Sequence, residues 1–72
     1  MKVEITLNND AKLSLKSLKR IEVHGSGTKT FGPSDFEKFK LNNTASTYSF
    51  IGEHLIALKG SDIKVVRIQL EN

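Results

Sequence analysis

The chain reads as mainly β: a small antiparallel barrel or two-sheet sandwich of about six short strands, with one short helix near 35–40. Three observations predict this. Apolar and polar residues alternate over several short runs, which is the period of a strand with one face buried. Clusters of Asn, Asp, Gly and Ser separate the runs and turn the chain. Only one segment carries a helix-start signal.

The first strand is 2–7, with Val3, Ile5 and Leu7 on one face and Lys2, Glu4 and Thr6 on the other. Asn8-Asn9-Asp10 follows, residues that bond their own backbone and tolerate left-handed conformations. A second alternating run at 11–16 makes a hairpin with the first. The parity then slips, because Leu18 stands three residues after Leu15 and the third strand, 20–24, buries Ile21 and Val23. A turn or bulge near Ser17 to Lys19 is required to return the apolar residues to one face. Gly25-Ser26-Gly27 ends the third strand. Thr28 to Phe31 forms a further short extended piece that Gly32-Pro33 stops.

Ser34 and Glu37 have the spacing of a capping box, with Phe36 and Phe39 on one helical face behind it. The helix at 35–40 lids one end of the core, or else Phe39 and Leu41 belong to an extended strand. The link Asn42 to Ser46 is polar, and 46–51 is the fourth strand. Gly52-Glu53 turns into the fifth, 54–59, where consecutive apolar residues Leu55, Ile56, Ala57 and Leu58 predict cover on both faces. Gly60-Ser61-Asp62 turns again into the last strand, 63–70, with Val66, Ile68 and Leu70 facing the core. The segment 18–23 lines up with 63–68, and 14–16 with 57–59, a hint of pseudo-symmetric halves that amphipathic periodicity alone can also produce.

The 72 residues make one domain, 1–72, near the lower limit at which a core suffices without staples. With no cysteine, disulfides, thiolate metal sites and thiol nucleophiles are excluded. The hydrophobic content of 38% is too high for a disordered chain. No apolar run reaches the length of a membrane span, and charges interrupt the first apolar stretch, so no membrane association and a cytoplasmic location are expected. The Asn42-Asn43-Thr44 sequon is then accidental. The order of elements resembles that of an oligonucleotide-binding barrel, with an SH3-like barrel as another small-barrel candidate. Such a resemblance bears on fold rather than function.

Eleven basic against eight acidic residues leave a formal charge of +3, which tolerates an anionic partner without demanding one. The basic concentration is Lys12, Lys16, Lys19 and Arg20, with no acid between Asp10 and Glu22. It is the candidate nucleic-acid patch, extended by Lys29 and Arg67. Lysines on exposed strands equally serve to prevent edge pairing, and single-strand binders also need exposed aromatics. Most aromatics here fall in core positions, Tyr48 being the expected exception. The loop 24–30 has the glycines and lysine of a phosphate-binding loop but lacks its Gly-Lys pair, its first glycine and its following helix. Glu22 with His24, and Glu53 with His54, are pairs short of the three or four convergent ligands that a metal needs. No cofactor or metal is expected. No nucleophile-base arrangement suggests an enzyme.

Ile51, Leu55, Ala57 and Val65 have the opposite parity from the core-facing set. Unless a closed sheet absorbs them, they form an exposed patch of the kind that marks protein contact or self-association. The expected function is therefore a non-enzymatic protein-interaction or adaptor module that binds through a sheet face or edge. Its partner is an unknown protein or a second copy, and a weak nucleic-acid-binding domain is the alternative. The Lys, Asn and Ile usage resembles that of small proteins of AT-rich bacteria and their phages, a likeness of composition that identifies no family.

Overall fold

The computed structural model describes residues 1–41 and 44–69. Within them the chain forms seven strands: β1 Lys2–Leu7, β2 Lys12–Leu15, β3 Arg20–His24, β4 Thr28–Phe31, β5 Thr47–Ile51, β6 Leu55–Lys59 and β7 Ile63–Gln69. They assemble into two antiparallel sheets, one ordered β2-β1-β7 and the other β4-β3-β5-β6. The sheets remain open, so the architecture is the sandwich rather than the closed barrel. The strand beyond the expected six is β4, the short extended piece after Gly27.

The alternation of β1 sets the inner face of the three-stranded sheet. Val3 lies opposite Leu15 and Ile68, and Ile5 opposite Leu13 and Val66. In the four-stranded sheet, Ile21 stands opposite Phe50 and Phe31, and Phe50 opposite Ile56. Val3, Ile5, Leu15, Ile21, Tyr48 and Phe50 are the largest side chains almost wholly removed from water. Each such aliphatic or aromatic side chain contributes about 1.5–3 kcal/mol of burial free energy. Tyr48, expected to be exposed, is 1% exposed, because its place opposite Val23 and Leu58 turns its ring inward.

The β1–β2 turn uses Asp10 at φ 68°, and the Asn9 side chain accepts a hydrogen bond from Ala11 N–H at 3.0 Å. The parity slip after β2 is resolved by Ser17 at φ 57°. There the chain leaves one sheet for the other, with Leu18 buried at the corner and its N–H donating to Met1 C=O at 2.7 Å. The return crossing runs from β6 through a 3-10 turn, Gly60–Asp62, into β7, with Ile63 buried in the same way. The resemblance between 18–23 and 63–68 therefore falls on the two corners where the chain changes sheets. At both corners a buried aliphatic, Leu18 or Ile63, stands at the entry to the next strand.

The expected short helix near 35–40 is present as a 3-10 turn, Pro33–Lys38. It starts at Gly32 rather than Ser34, with Pro33 fixing the first residue and Asp35 N–H donating to Gly32 C=O at 2.9 Å. Phe39 follows in extended conformation, its ring edge-on to Phe31 at 5.4 Å, Tyr48 at 5.9 Å and Phe50 at 6.2 Å between centroids. This aromatic cluster packs Phe31 and Phe39 against the core. Strand β6 is covered on one face only: Ile56 and Leu58 face the core, whereas Leu55 and Ala57 are exposed. The last strand runs to Gln69, and Leu70 lies outside the described residues, as does the Asn42-Asn43 part of the sequon.

Candidate functional site

The outward face of the four-stranded sheet is ordered in cross-strand rows. Arg20, Ile51 and Leu55 form one row, and Thr30, Glu22, Ser49 and Ala57 the next. Leu55 is 65% exposed, the largest exposure among the big apolar side chains of the described residues. Ile51, Leu55 and Ala57 thus share the β5–β6 half of one face. Val65 is 46% exposed but belongs elsewhere: it lies opposite Thr6 on the outward face of the three-stranded sheet.

Among the described residues strand β6 is also an edge, hydrogen-bonded to β5 on one side only. Its only charged residue is Lys59, at its end, and it contains no proline. Its position is fixed by the turn before it. Gly52 N–H donates to His54 C=O at 2.9 Å, and Glu53 N–H donates to Lys16 C=O at 3.0 Å. A Cβ at Gly52 would lie 2.7 Å from the carbonyl oxygens of both Lys16 and Ser17, so only glycine fits between this turn and the first corner.

The basic residues Lys12, Lys16, Lys19 and Arg20 are all exposed, but the fold separates them. Lys12 stands opposite Thr6 on the three-stranded sheet, and Arg20 lies on the outward face of the four-stranded sheet. Arg20 Nε donates to Glu22 Oε2 at 2.8 Å, and Glu22 Oε1 lies 3.4 Å from His24 Nε2. The Arg20 hydrogen bond, aided by its charge and by His24, holds the Glu22 carboxyl below the usual glutamate range. The β3 half of this face is therefore a charge-compensated stripe beside the apolar half.

The two histidine pairs sit at opposite ends of the sheet, His24 opposite Thr47 and His54 in the turn after Ile51. Among the described residues no group of three or more His, Asp or Glu side chains gathers. After Gly25-Ser26-Gly27 the chain enters strand β4 instead of a helix, so its amides do not form a phosphate cradle at a helix start.

A second feature escaped the sequence reading. A cleft of about 400 Å³ opens between β4 and the Pro33–Lys38 turn, lined by Val23, Lys29, Phe31, Tyr48, Asp35, Lys38 and Lys40 with Thr30. Lys29 has the core-side parity of its strand, opposite Val23, and its Nζ lies 5.9 Å from the Phe31 ring centroid. Lys38 ends the 3-10 turn and Lys40 follows the inward Phe39, both at exposed positions.

Comparison of the chain with models of known families, with curated proteins and with solved structures gave no match.

Proposed function

We propose that this chain is a non-enzymatic interaction module that associates through strand β6 and the apolar half of its sheet face, with a second copy of the chain as the occupant. The observation that carries this reading is Leu55, an exposed leucine on an unguarded edge strand beside Ile51 and Ala57. Soluble sheets ordinarily protect such an edge with charge, proline or a covering element, because its free N–H and C=O groups invite another strand.

Self-pairing fits the pattern of side chains. An antiparallel two-fold centred on Ala57 places Leu55 opposite Lys59 of the other copy and Ile56 opposite its Leu58. Glu53 then falls diagonal to Lys59 of the other copy, within reach of an ion pair. The outcome is one continuous sheet of eight strands with Leu55 and Ile51 of both copies along its face.

The nucleic-acid alternative on Lys12, Lys16, Lys19 and Arg20 draws less support, since Glu22 compensates Arg20 and Lys12 projects from the other sheet. Sedimentation equilibrium of the wild type and of Ala57→Lys tests self-pairing. The wild type is expected to dimerise, and the variant, which sets two lysines against each other across the axis, to remain a folded monomer. A wild type that stays monomeric at high concentration would refute the reading.

A further inference from the structure

The cleft beside β4 is independent of the β6 edge and has a chemistry of its own. Three lysines, Lys29, Lys38 and Lys40, border it, with Asp35 the one acidic residue in its lining. Three positive charges and one negative leave the lining at +2. Among the described residues, none of the three lysines has a carboxylate within ion-pair distance, in contrast to Arg20 with Glu22 and Lys64 with Asp10. Ammonium groups bordering a concave site attract an anion, and a phosphate monoester carries about −1.5 to −2 charges at neutral pH, which matches the lining.

Size and apolar lining narrow the class. A volume of about 400 Å³ is within the range of small-molecule sites and exceeds what one inorganic ion fills. Val23 and Phe31 supply an apolar wall next to the ammonium groups, suited to a flat ring. The Asp35 carboxylate accepts a hydrogen bond from Gly32 N–H at 3.4 Å, a long contact that leaves capacity for a second donor such as an exocyclic amino group. A shallower depression of about 390 Å³ shares Val23 and Lys29 with the cleft and continues it along Gly25 to Thr28, where a chain extending from the ligand would run.

We propose that the cleft between β4 and the Pro33–Lys38 turn binds a nucleoside monophosphate group, with Lys29, Lys38 and Lys40 on the phosphate and the base against Phe31 and Asp35. The group belongs either to a free nucleotide or to the 5′-phosphorylated end of a single strand.

Amide chemical-shift titrations at low salt with adenosine 5′-monophosphate, a 5′-phosphorylated oligodeoxynucleotide, inorganic phosphate and phenyl phosphate test the site. Saturable shifts at Lys29 to Phe31 and Lys38 to Lys40 are expected. Equal affinity for mononucleotide and oligonucleotide identifies the free nucleotide, and tighter binding of the oligonucleotide identifies a strand end. The double variant Lys38→Gln/Lys40→Gln, at exposed positions, should bind about tenfold more weakly through loss of charge-assisted contacts. Lys12→Gln/Lys16→Gln should bind like the wild type. The proposal is overturned if neither nucleotide probe shifts the cleft amides, if both double variants weaken binding alike, or if inorganic phosphate or phenyl phosphate binds as tightly as the nucleotide.

Discussion

The two edges of the four-stranded sheet are built by different rules. Strand β4 carries Lys29 at core-side parity, ends at Gly32-Pro33 and lies beside a 3-10 turn. A charge at an inward position, a proline and a neighbouring element are devices that keep another strand from adding. Strand β6 has none of these along its length and presents Leu55 and Ala57 to solvent. The difference extends across the outward face, where Arg20, Glu22 and His24 compensate one another on β3 while Ile51, Leu55 and Ala57 lie uncompensated on β5 and β6. One sheet thus has a guarded margin beside a basic cleft and an open margin beside an apolar strip.

The comparison collapses first if the platform between the edges is lost. Phe50 is fully buried between Ile21 and Ile56 and lies against Phe39. Phe50→Ala should cost about 3–5 kcal/mol, a large share of the stability of so small a domain, and urea denaturation should show it largely unfolded. Gly52→Ala attacks only the anchorage of the open edge. Its Cβ would press on two backbone carbonyls that cannot swing aside, an overpacking cost of about 1–3 kcal/mol, read as a lower urea midpoint.

Guarding the open edge should do something different. Leu55→Lys replaces an exposed side chain, so its effect on monomer stability should stay within about 0.5 kcal/mol in thermal unfolding. Self-association measured by sedimentation should nevertheless fall. Equal loss of stability and association would mean that Leu55 supports the fold and is not a contact residue.

The strands were legible wherever one face is buried and the other wet, as in β1, where Val3 and Ile5 alternate with Glu4 and Thr6. The corner at Ser17 was legible because a slip in parity has few structural solutions. Strand β6 misled, because apolar residues at both parities look alike whether the second face is covered by protein or left open as an edge. The start of the 3-10 turn misled because Ser34 and Glu37 have capping spacing, yet Pro33 and Gly32 start the turn earlier. The cleft could not be read from local pattern. Lys29 is far along the chain from Lys38 and Lys40, and they meet only because the turn after β4 folds back beside the strand.

The smallest expected effect concerns the charged half of the face. Arg20 holds the Glu22 carboxyl below its ordinary range, so the folded state binds this proton less readily than the unfolded chain. The stability contributed is therefore present above the ordinary glutamate pKa and is lost as pH falls through the lower folded value. Because Glu22 is solvent-screened, the loss should be minor in a pH-dependent melt. Side-chain carboxyl resonances resolve it directly: the Glu22 carboxyl should titrate below the ordinary glutamate range. Arg20→Gln should raise the Glu22 midpoint toward the ordinary range, since His24 at 3.4 Å is the weaker of the two influences. An unchanged midpoint would show that the arginine contact does not persist in solution. The β3 half of the face would then carry a free cation, and its contrast with the apolar half would rest on charge alone rather than on compensated charge.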